Sequence, residues 1–158
     1  MATTSTESRR SCLRLIGGLA AMVGLPAVPQ AHGTVPLVEI WRDPGCGCCE
    51  LWVKHLRDNL LVVQVREVED TAPLRKSLGM PEPLASCHTA RIEGYVIEGH
   101  VPASEIHRLL RERPKALGLA VPEMPRGSPG MEQGGSKDPF DVLLVARDGS
   151  TSVFKSYR

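Results

Sequence analysis

Three cysteines in four positions, Cys46, Cys48 and Cys49, stand where an alternating apolar stretch meets a helical spacing. No other feature constrains the chain as much. Upstream, Pro36 to Arg42 (PLVEIWR) alternates apolar and polar residues as a short strand does. Downstream, Cys49, Trp52 or Val53, Leu56 and Leu60 recur at three- and four-residue intervals, which predicts a helix with one buried face. The cysteines therefore fall at a helix start, where unpaired N–H groups and partial positive charge favour an anion. A thiol there ionises more readily, and thiolate is the form that attacks disulfides or holds metal. Gly45 and Gly47 let the backbone turn tightly at this point.

The rest of the chain supplies further elements. Leu61 to Val68 is rich in Val and reads as a second strand. Thr71 is placed to cap a short helix with Pro73 in its first turn, with Leu74 and Leu78 facing inward, and with Gly79 and Pro81 ending it. Thr89–Ile92 and Tyr95–Glu98 make a hairpin about Glu93-Gly94. Pro102 opens a helix that buries Val101, Ile106, Leu109 and Leu110 and that Pro114 closes. Leu117 to Asp138, rich in Pro and Gly, reads as a long loop, and Asp141–Ala146 with Thr151–Phe154 forms a last hairpin. Strand, helix, strand, helix, hairpin, helix is the thioredoxin-like α/β order, βαβ then ββα, with an added long loop and a C-terminal β-hairpin. In that order the segment entering the third strand packs against the cysteine turn, so Cys87 and His88 should arrive beside residues 46–49.

The first thirty residues speak to compartment. Arg9, Arg10 and Arg14 precede an apolar stretch from Leu15 to Leu25, too short to span a bilayer comfortably. Ser8-Arg9-Arg10 with Leu13-Arg14 resembles a twin-arginine export signal, with Cys12 where Phe is usual; an ordinary secretory signal is the other reading. Residues 1–31 are thus expected to be removed, leaving a single periplasmic domain, residues 32–158, that starts near His32 and has no membrane span. The signal carries three Arg and one Glu, so the remainder lies near −1 against +1 for the whole chain. Near-neutral charge and few aromatic residues give no basis for a nucleic-acid partner.

With Cys12 gone, Cys46, Cys48, Cys49 and Cys87 remain. Two structural disulfides are one reading, with Cys46 paired to Cys49 and Cys48 to Cys87, since bridging the adjacent Cys48 and Cys49 strains the backbone. Disulfide exchange through Cys46 and Cys49, the candidate catalytic pair, is another. Cys48 complicates exchange because it offers a competing partner. A metal site has a use for it: soft thiolates select Cu(I), and one sulfur can bridge two copper ions, so more than one ion could be held. Zinc fits less well, because neighbouring Cys48 and Cys49 do not easily aim at one tetrahedral centre.

Other candidate soft ligands are His88, which would reach the cluster only if the strand is irregular after Cys87, and Met124 and Met131 of the long loop, which no helical stripe explains as core. His100, at the end of the hairpin, is a ligand, a hydrogen-bonded structural residue or an exposed one, with the structural role favoured, and His55 and His107 read as surface residues. The motifs RDPGCGCCELWVKHL, LASCHTARIEGYVIEGHVP, LLRERPKALGLAVPEMPRGSPGME and DVLLVARDGSTSVF together resemble the CopG-type family of periplasmic metal-binding proteins associated with copper resistance. The resemblance implies a thioredoxin-like fold, copper bound through the cysteines, interconversion of Cu(I) and Cu(II), and other periplasmic copper-handling proteins as partners.

Overall fold

A computed structural model describes Met1, residues 35–132, residue 135 and residues 137–158. The expected export signal and the expected start at His32 lie outside the described residues. Thr34–Arg158 forms one compact unit. Its strands are β1 (Leu37–Arg42), β2 (Val62–Glu67), β3 (His88–Ile92), β4 (Tyr95–Gly99), β5 (Gly118–Val121), β6 (Phe140–Val145) and β7 (Thr151–Tyr157). Its helices are α1 (Gly47–Asp58), α2 (Ala72–Ser77) and α3 (Ala103–Glu112), with a 3-10 turn at Glu82–Leu84. All strands join one sheet in the order β2-β1-β3-β4-β5-β6-β7. β1 runs parallel to β2 and antiparallel to β3, and β3 pairs antiparallel with β4. That is the expected thioredoxin-like core. β5 continues it parallel to β4, and β6 and β7 follow antiparallel.

The expected apolar periods locate the core. Trp52, Val53 and Leu56 of α1 meet Ile106 and Leu109 of α3, Val38 and Ile40 of β1 and Ile97 of β4 on one face of the sheet. On the other face Met80, Leu84, Val96, Ala120 and Val145 form a smaller cluster beside the end of α2. Fully burying such a side chain contributes roughly 1.5–3 kcal/mol, so the larger cluster holds α1, and the cysteines at its start, firmly to the sheet.

Four expectations need correction. The stretch 117–138 is not all loop, since Gly118–Val121 forms β5. A side chain at position 118 would meet Val96 O at 1.7 Å, so only glycine lets β5 begin so close to β4. Leu60 does not continue the buried face of α1. It adopts a left-handed φ of 64° and is 88% exposed, and the neighbouring Leu61 is buried in its place. In α2, Thr71 makes no cap bond: Asp70 Oδ1 accepts the Ala72 N–H instead, at 2.8 Å. Leu74 and Leu78 are only half-buried there, and the residue that α2 turns inward is Arg75.

Candidate metal centre

The sulfur cluster is assembled from two walls. One wall is the turn from β1 into α1. Asp43 Oδ1 accepts the Gly45 N–H at 2.7 Å, and the Asp43 carbonyl accepts the Cys46 N–H at 3.1 Å. Arg42 Nη1 donates to the Asp43 and Pro44 carbonyls, and its Nη2 donates to Glu67. Cys46 is the residue that precedes α1, and a disulfide joins it to Cys49 across a Cα–Cα distance of 5.3 Å. Cys48 is a free thiol whose Sγ lies 3.5 Å from Cys46 Sγ; it can only donate there, because the disulfide sulfur carries no proton.

The other wall is the segment that enters β3. Cys87 arrives with its Sγ so placed that the sulfurs of Cys46, Cys48, Cys49 and Cys87 all lie within 4.8 Å of one another. The convergence expected from the order of elements is therefore present. Cys87 is also a free thiol, and burial, with Cys48 beside it, pushes it up to about 12. It carries a proton until a cation replaces it, unlike a thiol favoured by a helix start.

Two imidazoles converge on that sulfur. His88 Nδ1 lies 3.3 Å and His100 Nε2 3.1 Å from Cys87 Sγ. His88 is fully buried, with its ring 4.2 Å from that of Trp52 and 5.0 Å from that of His100. Burial, reinforced by His100, pulls His88 down to about 3, so it stays neutral with a ring nitrogen free to coordinate. His100 is also held below its ordinary value by burial. Its Nδ1 lies 2.8 Å from the Pro129 carbonyl and can only donate there, which leaves the Nε2 lone pair facing Cys87. The single Cys87 proton can satisfy only one of the two nitrogens that face it. His88 Nε2 is itself buried without a hydrogen-bond partner. A thiol and two neutral imidazoles aimed at one point suit a soft or borderline cation better than they suit one another.

Similarity to known proteins agrees with this geometry. Residues 84–131 match the family described as "Protein of unknown function, DUF411". A solved structure of a copper resistance protein CopG, form 2, is 42% identical, covering 79% of this chain and 100% of its own, with a TM-score of 0.75. Form 1 is 44% identical, covering 77% of this chain and 96% of its own, with a TM-score of 0.73. The chain belongs to the CopG family. No curated protein matches this CopG-family chain.

The long loop of this CopG-family protein treats its two methionines differently. Pro129 and Gly130 lie against α1: a side chain at Gly130 would meet Trp52 N at 2.8 Å and Cys48 O at 2.9 Å. Met131, half-buried, follows at once. Met124 is 41% exposed and lines a separate cavity of about 570 Å³ with Glu123, Asp138 and Phe140, without any of the cysteines. Two histidines expected at the surface tie helices together instead. His55 Nε2 accepts the Ala103 N–H at 3.1 Å, and His107 Nε2 lies 2.9 Å from the Asn59 carbonyl. Reading the sequence also placed a ligand role for His100 second to a structural one. The signal for it was the hairpin: two antiparallel strands joined at Glu93-Gly94 return the chain from His88 to the same end of the sheet.

Proposed function

We propose that this protein is exported by the signal in residues 1–31, by the twin-arginine route, and handles copper in the periplasm for copper resistance. Cys46, Cys48, Cys49 and Cys87 take Cu(I), with room for more than one ion; His88 lies at the same centre, and Met131 completes the site. Met124 serves at most to admit copper from the loop side. His100, whose free Nε2 faces Cys87, joins the ligands. The observation that carries the reading is the meeting of four cysteine sulfurs within 4.8 Å, two of them free thiols. Thiolates select Cu(I), and the relatives that support the reading are named as copper resistance proteins.

The Cys46–Cys49 disulfide favours redox handling in addition. When reduced, this pair can pass one electron to each of two Cu(II) ions, giving two Cu(I), one disulfide and two released protons. The same disulfide supports the alternative, thiol–disulfide exchange with protein substrates through Cys46 and Cys49. Cargo would pass to other periplasmic copper-handling proteins.

Anaerobic titration of the reduced protein with Cu(I), with metal analysis, tests the reading against Cys48→Ser and Cys87→Ser. Tight binding by the wild type and lowered stoichiometry in both variants are expected. Unchanged stoichiometry, or no tight binding, removes copper handling. Insulin reduction that survives Cys87→Ser and ignores copper would establish exchange in its place.

A further inference from the structure

Between α2 and β4 lies a buried ion pair that no part of the copper chemistry uses. Glu98 is fully buried in β4, an interior strand, and Arg75 is buried on α2. Arg75 Nε donates to Glu98 Oε1 at 3.0 Å. Arg75 then reaches Ser86, before Cys87, and Glu98 reaches both Ser86 and Thr89, on either side of it. The Ser86 N–H donates to Glu98 Oε1 at 2.8 Å, the Ser86 carbonyl accepts from Arg75 Nη2 at 3.1 Å, and Thr89 Oγ1 donates to Glu98 Oε2 at 2.7 Å. Ser86 lies before β3 and has no partner strand, so this pair satisfies both of its backbone polar groups. Gly99, with φ +70°, permits the approach, since a side chain there would meet Ser86 Oγ at 2.6 Å.

A buried ion pair is weak evidence for stability. Desolvation offsets much of the attraction, and apolar residues of similar volume often replace such a pair without loss. What apolar residues cannot do is hold a backbone N–H, a backbone carbonyl and a hydroxyl at fixed positions. We infer that Arg75 and Glu98 are positioning residues: they bracket Cys87 between Ser86 and Thr89 and set its sulfur against the Cys46–Cys49 turn. The inference deepens the copper reading and rests on it for its functional meaning.

The test uses the full mature chain as wild type, Arg75→Met/Glu98→Leu and Glu98→Gln. In reduced, metal-free protein, limiting iodoacetamide and peptide mass mapping give the labelling of Cys87 relative to Cys48. General loosening moves both thiols together; loss of positioning moves the ratio. The double variant should melt near the wild type yet raise the ratio about tenfold, because the segment opens locally without the fold opening. Glu98→Gln keeps one oxygen for Ser86 and Arg75, sets an amide where Thr89 Oγ1 now donates to Oε2, and removes the charge that faces Arg75, and should raise the ratio about threefold. Cu(I) stoichiometry should fall in the double variant. An unchanged ratio in both variants overturns the inference, and so does a double variant that cannot fold, because the pair would then hold the fold itself. Failure of the copper reading would show separately, as no Cu(I) taken up by the wild type.

Discussion

On one side of the cluster, Cys46, Cys48 and Cys49 are placed by residues beside them in the chain: Asp43 closes the turn, Arg42 grips the carbonyls of Asp43 and Pro44, and α1 follows. On the other side, Cys87 and His88 are placed by residues from α2 and β4, through a charge pair out of contact with water. The first wall is local, partly exposed and tolerant, because most of its polar groups keep a second partner in water. The second is remote and largely dry, so its groups depend on one another: Arg75 and the Ser86 N–H both donate to Glu98 Oε1, and Thr89 donates to Oε2. A metal-binding site made from both inherits the weakness of the second.

The largest effect should come from breaking the dry wall on one side only. Glu98→Ala leaves the buried Arg75 guanidinium with only the exposed Glu82, 3.7 Å away, as a carboxylate partner, and the Ser86 N–H and Thr89 hydroxyl without their acceptors. Removing one partner of a buried pair typically costs about 3–5 kcal/mol, far more than replacing both by apolar residues. Urea unfolding of metal-free protein should show this loss for the single variant and little for the paired replacement. Equal losses in the two would end the distinction between the walls.

How much of this was legible follows the same division. The strand, the cysteine turn and α1 lie within one short stretch, where period and glycine placement speak directly. The turn at Glu93-Gly94 was equally readable, and both residues take the positive φ that such a hairpin needs, 48° and 84°. Glu98 was not legible. In YVIEG it fills the polar slot of an ordinary half-exposed strand, and it is buried because β4 lies inside the sheet between β3 and β5 and α2 sets Arg75 against it. β5 was itself hidden, being four residues long and set in a stretch rich in Pro and Gly. Arg75 was lost for the same reason, since a charged residue on a short helix reads as solvated. His100 was given a structural role although the readable hairpin already returned it to the end of β3 beside Cys87; what the linear reading lacked was the direction of its ring.

The long loop links the two walls, and Gly130 is where it can be tested. With φ +86° and the backbone of α1 at Trp52 and Cys48 under 3 Å from any added side chain, Gly130→Ala must both strain the loop and push it off the helix. A loss of about 1–3 kcal/mol is expected, with the Pro129 carbonyl drawn away from His100 Nδ1. Thermal unfolding measures the loss. A variant as stable as the wild type would show that the loop only rests on the first wall and does not press against it.

The smallest effect separates the walls by pH. His55 on α1 accepts the Ala103 N–H at the start of α3, three residues beyond His100, so it fastens the helix of the first wall to the chain leaving the second. It can accept only while neutral. Burial lowers its folded pKa below 6.5, against the opposing charges of Glu132 and Asp58, so the unfolded chain takes the proton more readily. The stabilisation is therefore fully present above the unfolded value near 6.5 and is lost as pH falls through the range just below it. His55 is partly open to solvent, which limits the effect to under about 1 kcal/mol, in keeping with one hydrogen bond. His55→Gln keeps an acceptor that does not titrate. Melting at pH 7.5 and pH 5.5 should show the wild type losing more stability on acidification than the variant, by that small margin. Taking the difference between the two proteins cancels the contributions of His88 and His100, which both share. Equal losses would mean that α1 and α3 are fastened by their apolar packing, the Trp52 bond to the Val101 carbonyl and the His107 contact with Asn59, without help from His55.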